Sequence, residues 1–137
     1  MKTEKARPTV VIADDHVGIL ERISGLLMAD YDIVATVTNG RKAVEAVAQF
    51  SPDIAVLDIA MPELDGLGAA REVKQMWCNT RIIFLTVHAD KDYVHAALET
   101  GASGYVLKSC MQSDLIHAIR HALAGHVFVS SYPLDID

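Results

Sequence analysis

The stretch DIAVLDIAMPELDG, residues 53–66, decides the fold. Its first half is apolar without polar alternation, the pattern of a strand buried on both faces. It runs straight into an acid, Asp58, and then into a loop where Pro62 holds Met61 out of the helical region. Gly66 belongs to the geometry of that loop, ahead of the next helix; neither it nor Met61-Pro62 is a candidate for chemistry.

Working outward, runs of the same kind recur at TVVIAD (9–14), YDIVATV (31–37), RIIFLTV (81–87) and GYVLK (104–108). Helical patterns separate them. Leu20, Ile23 and Leu27 share a face in the first, and Val44, Val47 and Phe50 in the second, behind a cap at Asn39. Leu67, Ala70 and Val73 mark the third. Val94, Ala97 and Leu98 mark the fourth, which starts near Asp90 and stops at Gly101. The last carries Leu115, Ile119 and Leu123 and stops at Gly125. Five strands alternating with five helices predict an α/β fold, a parallel sheet covered on both faces. Right-handed crossovers make it doubly wound. A length of 137 residues predicts one domain. Its expected limits are a polar tail over 1–8, the domain over 9–125, and a C-terminal extension or linker start over 126–137.

Half the residues are apolar (51%) and 22% are charged, so the chain can build its own core without disulfides or a structural metal. No run of apolar residues is long enough to span a membrane, and the start does not read as a secretory signal. Cys78 and Cys110 lack paired-cysteine spacing, which fits a reducing, cytoplasmic compartment. A net charge of −6 without a basic cluster argues against a nucleic-acid surface in this chain. His117 and His121 have a spacing that can bind zinc, but no third ligand is evident, and a solvated helix face is the expected reading.

In a doubly wound sheet the functional crevice lies at the carboxyl ends of the strands. There the sequence places Asp14 and Asp15 after the first strand, Asp58 after the third, Thr86 after the fourth and Lys108 after the fifth. Three acids in one crevice repel: two unit charges about 4 Å apart cost roughly 4 kcal/mol at an effective dielectric of 20. A hard divalent cation resolves this, and Mg²⁺, with octahedral oxygen ligands at about 2.0–2.1 Å, suits carboxylates plus a backbone carbonyl. A carboxylate beside Mg²⁺ and Lys108 can act as a nucleophile on phosphorus, with the cations stabilising charge on the phosphoryl oxygens. Thr86 can donate to a phosphoryl oxygen once one is present. The bland alternatives are an acid pair that merely caps the first helix, a packed Thr86 and a solvated Lys108. The joint placement favours the site.

At these residues the chain resembles a response-regulator receiver domain of two-component signalling. The resemblance covers residues 9–125 and rests on VVIADDH, VLDIAMPELDG, LTVH and GASGYVLK. It implies a flavodoxin-like sheet of strand order 2-1-3-4-5. It implies Mg²⁺ held by Asp15, with Asp14 assisting, by Asp58 and by the backbone carbonyl of Ala60. Asp58 would be the phosphoacceptor, Lys108 the phosphoryl-binding lysine, and Thr86 and Tyr105 the switch pair. His88 and Ala60 would occupy the positions that tune phosphoryl lifetime. ADDH, GASGYVLK and AIRHALAGHVFVS look most like the NarL/FixJ (LuxR-type) branch, where a helix-turn-helix DNA-binding domain normally follows; here only YPLDID does. The implied partners are a histidine kinase, a second copy of the chain in a phosphorylation-dependent homodimer, and DNA only through the output domain this chain lacks.

Two other readings compete. An aspartyl-nucleophile phosphatase of the haloacid-dehalogenase type needs an acid two residues after the nucleophile, where this chain has Ala60. The expected activity is therefore to accept and slowly lose a phosphoryl group on itself, not multiple turnover. A flavin- or nucleotide-binding module would need a glycine-rich loop after the first strand, where Asp14-Asp15-His16 stands instead.

Overall fold

The computed structural model describes residues 7–130. The parts of the expected tail and extension at 1–6 and 131–137 lie outside the described residues. Strands β1 (Thr9–Ala13), β2 (Asp32–Val37), β3 (Ile54–Leu57), β4 (Arg81–Thr86) and β5 (Gly104–Leu107) alternate with helices α1 (Val17–Leu27), α2 (Gly40–Phe50), α3 (Gly66–Lys74), α4 (Lys91–Glu99) and α5 (Met111–Leu123). All strand pairs are parallel, in the order β2-β1-β3-β4-β5-β6. The doubly wound core expected from the sequence is thus present. It gains a two-residue sixth strand, β6 (Phe128–Val129), on the edge of β5.

The central strands are apolar throughout because both faces are covered. Ile54 and Val56 of β3 pack on one side with Leu20, Ile23 and Leu27 of α1 and Leu115 and Ile119 of α5. Ala55 and Leu57 pack on the other with Val44 and Val47 of α2, Ala70 and Val73 of α3, and Val94 and Ala97 of α4. The same alternation runs through β4, with Ile83 and Leu85 on the first side and Ile82 and Phe84 on the second. Each such fully buried side chain contributes about 1.5–3 kcal/mol. The edge strand β2 departs from expectation: its residues are mostly half-buried or exposed, since only one neighbour, β1, pairs with it. Phe50 and Leu123 also depart from their helix stripes. They sit at the last residue of α2 and α5, where each helix ends, and are 43% and 40% exposed.

Local caps fix where the helices begin above the sheet. Asn39 Oδ1 accepts from Lys42 N (2.8 Å), Asp65 Oδ1 from Gly68 N (2.8 Å) and Asp90 Oδ1 from Tyr93 N (3.2 Å). The acid pair does not cap α1. The N-cap there is His16, without a side-chain cap bond.

Candidate functional site

The sheet ladder delivers the acids one step beyond its strands. Asp14 N donates to the Val37 carbonyl at 3.1 Å, and Asp58 N to the Ala13 carbonyl at 3.0 Å. Asp14 and Asp58 are buried, at 1% and 5% exposure, while Asp15 is exposed at the rim. Lys108, first residue of a short 3₁₀ turn after β5, reaches back between the two buried acids. Its Nζ lies 2.8 Å from Asp14 Oδ2 and 3.2 Å from Asp58 Oδ2. The Asp58 contact is a hydrogen bond. Asp14 Oδ2, fully buried, has the ion-pair contact but no well-aligned hydrogen bond among the described residues.

Charge follows from this arrangement. Burial and the neighbouring Asp14 push the Asp58 carboxyl above its ordinary range, while Lys108 and the Ala60 backbone N–H pull it back. Burial works against the Lys108 ammonium, but Asp14 and Asp58 outweigh it and hold the lysine protonated above its ordinary value. One cation thus faces two buried anions, with Asp15 adjacent. Carboxylate oxygens of Asp14, Asp15 and Asp58 and a ring nitrogen of His16 lie within 4.8 Å of one another. These donors fit a hard divalent cation, and the poorly bonded Asp14 Oδ2 is the oxygen with spare capacity for one.

His16 is the residue the sequence reading missed as part of this cluster. Its ring Nδ1 sits 3.2 Å from Asp15 Oδ1 and 3.4 Å from Asp14 Oδ1, and its backbone N–H donates to Asp14 Oδ1 at 2.9 Å. The available signal was its place directly after the acid pair.

Thr86 and Tyr105 are fully buried, and both bond to His88. Thr86 Oγ1 accepts from the His88 backbone N–H at 3.2 Å. The Tyr105 hydroxyl donates to the His88 carbonyl at 2.7 Å. Tyr105 is therefore already turned inward, and burial pushes its phenol well above its ordinary value, keeping it a donor. The His88 ring stacks on Tyr93 (centroids 4.0 Å apart, 13° between planes). His88 and Tyr93 line an open groove of about 520 Å³ with Asp15, Ala60 and Met61. Ala60 and His88 thus share one groove with the rim acid. His117 and His121 are exposed on α5, as expected for a solvated face.

This geometry defines a class. Residues 10–120 match the family described as the response regulator receiver domain, and the chain belongs to it. Within that family it is a two-component receiver of the NarL/DegU kind. It is 34% identical over 122 residues to the transcriptional regulatory protein DegU of Brevibacillus brevis, covering 88% of this chain and 52% of that protein. It is 35% identical over 123 residues to the oxygen regulatory protein NreC of Staphylococcus epidermidis, covering 88% of this chain and 56% of that one. The chain spans about half the length of these curated relatives. Among solved structures, the signal receiver domain of NarL from Mycobacterium tuberculosis superposes with a TM-score of 0.85 at 28% identity, covering 89% of this chain and 100% of that one.

Proposed function

We propose that this chain is the phosphoacceptor half of a two-component signalling pair, taking a phosphoryl group from a histidine kinase onto Asp58. The observation that carries the reading is Lys108 Nζ held between Asp14 and Asp58 at the strand ends, 2.8 and 3.2 Å away. Asp15, Asp58 and the Ala60 carbonyl, with Asp14 in support, would hold Mg²⁺, whose charge offsets that of the acids and of an incoming phosphoryl group. An Asp58 carboxylate oxygen attacks phosphorus. The P–N bond to the donor histidine breaks, and its electron pair stays on the imidazole nitrogen. Lys108 stabilises the charge spread over the phosphoryl oxygens. Thr86, released from His88 N–H, then donates to one of them. The domain accepts and slowly loses this group rather than turning over substrate.

Because His88 bonds to both Thr86 and Tyr105, a shift of Thr86 toward the phosphoryl group draws on the contact that holds Tyr105. The readout is a changed surface of α4, β5 and α5, which favours a homodimer. A swing from 1:99 to 99:1 requires about 5.5 kcal/mol of differential stabilisation. We read the receiver as residues 9–125, with residues 128–130 docked on its β5 edge, and its output as either transcription through a helix-turn-helix domain or a direct protein contact. Among the described residues no helix is long and apolar enough to cross a membrane; with the cysteine usage, this supports a cytoplasmic site of action.

The deciding experiment is intact-mass spectrometry after incubation with Mg²⁺ and a small acyl phosphate. The expected result is a single phosphoryl adduct in wild type, absent without Mg²⁺ and absent in Asp58→Asn. An adduct that persists in Asp58→Asn would mean another residue is the acceptor.

His88 lines the groove with Asp15 and Ala60, on the side from which water would reach a phosphoryl group on Asp58. His88→Ala is expected to change the adduct's lifetime about threefold or more, on the scale of a modest general acid–base or steric contribution. A decay rate indistinguishable from wild type would remove His88 from this role.

A further inference from the structure

Ser130, a small polar residue of a kind mostly found at the surface, is fully buried. Its hydroxyl donates to Asp114 Oδ2 on α5 at 2.8 Å. Ser130 Oγ in turn accepts the Leu107 backbone N–H at 3.2 Å. Its own backbone N–H donates to the Tyr105 carbonyl at 2.8 Å. A serine hydroxyl has one proton and two lone pairs. Asp114 takes the proton and thereby turns a lone pair toward Leu107. The residue immediately after Leu107 is Lys108, and Tyr105 is the switch aromatic. Just upstream, Phe128 N donates to the Ser103 carbonyl at 3.0 Å, and the Phe128 ring meets the His121 ring edge-on at 5.4 Å. The segment is therefore fastened along the whole of β5, and the fastening ends at the backbone that presents Lys108.

We propose that Ser130 and Asp114 form a latch that positions Lys108 through the Leu107 amide, so that the state of the acceptor site and the docking of residues 128–130 on β5 are coupled. This rests on Asp58 and Lys108 being the phosphoryl site. Coupling is reciprocal: if the closed latch favours a phosphoryl group beside Lys108, that group favours the closed latch by the same factor. Ser130 touches no reacting atom. It acts through the Leu107 amide.

The test uses the whole 137-residue chain with Mg²⁺ and beryllofluoride as a stand-in for the phosphoryl group. Binding is followed by nuclear magnetic resonance titration, and latch opening by exchange of the Ser130 and Leu107 amides. Ser130→Ala and Asp114→Asn should each weaken beryllofluoride binding about fivefold or more, whereas Ser130→Thr, which keeps the hydroxyl, should stay within about twofold of wild type. In wild type, beryllofluoride should slow Ser130 amide exchange by a similar factor, and in Asp58→Asn it should not. Faster amide exchange in Ser130→Ala with unchanged affinity would reduce the latch to a structural contact and overturn the coupling. Failure of wild type to bind beryllofluoride would overturn the acceptor reading itself. That result is read before any variant is made, so the two failures are distinct.

Discussion

Lys108→Met will destabilise the domain by about 3–5 kcal/mol at neutral pH in the absence of Mg²⁺, the cost of leaving buried charges without their counter-ion. The lysine is the cation in contact with both Asp14 Oδ2 and Asp58 Oδ2, and both acids are buried. Methionine keeps the length and apolar stem, so packing loss is small and the deficit reports charge. The pH dependence has a definite sign. Asp58 already titrates above its ordinary value through burial and Asp14, and Lys108 opposes that rise. Without Lys108 the rise is larger. A carboxyl whose folded value is raised is least unfavourable to the fold below its unfolded value, and costs stability as pH climbs through its folded value. The variant's deficit against wild type should therefore be greatest at neutral pH and shrink as pH falls through the folded value of Asp58. Millimolar Mg²⁺ should recover part of it at neutral pH. Urea denaturation of both proteins at two pH values, with and without Mg²⁺, measures all three. A deficit independent of pH and Mg²⁺ would mean that Lys108 acts by packing alone. Phosphoryl uptake should fall at least about a hundredfold, in line with loss of a preorganised electrostatic contact to the transferring group.

The contrast between what could and could not be read from the sequence has a physical origin. β1, β3, β4 and β5 are buried on both faces, so their runs are continuous and unmistakable. Their last residues then locate the acids, Thr86 and Lys108, because strand ends define the crevice. β6 carried no such signal: two residues, flanked by the backbone bonds of Phe128 to Ser103 and of Ser130 to Tyr105, leave no periodicity. The burial of Ser130 was equally silent, since serine as a residue type is mostly exposed. His16 was hidden because the residue after an acid pair reads as a helix start, which it is; only three dimensions show its ring turned back to Asp14 and Asp15. Phe50 and Leu123 misled because helical spacing marks a stripe but not which of its residues the rest of the fold covers.

Gly66→Ala should be the most damaging single-methyl change next to the loop that follows Asp58. A Cβ there would lie 2.0 Å from the Asp58 carbonyl oxygen and 2.9 Å from both the Asp58 carbonyl carbon and Ile59 Cα. All three are backbone atoms, which cannot swing aside as a side-chain tip can. Gly66 N also donates to the Ile59 carbonyl at 2.7 Å, so the two chain segments are drawn together where the methyl would intrude. Gly40 at the start of α2 makes a second close approach to the same loop: a Cβ there would lie 1.9 Å from the Leu64 carbonyl oxygen. Between these two approaches the loop carries Glu63 at φ 71, a left-handed conformation that costs a non-glycine residue roughly 1–2 kcal/mol. A loop so confined cannot absorb a new methyl by a local shift. The expected loss is about 3 kcal/mol, at the upper end for overpacking. Mg²⁺ affinity should fall about tenfold or more, because the backbone that moves is that of Asp58 and its neighbours, and ligand geometry tolerates little displacement. Gly18→Ala is the control. It lies in α1 with nothing within 4 Å of its would-be Cβ and should stabilise by about 0.5–1 kcal/mol. Denaturation midpoints and Mg²⁺ titrations of the two variants separate the ideas. If Gly66→Ala kept both stability and Mg²⁺ affinity, the loop would be free to move, and the position of Asp58 would owe nothing to this close approach.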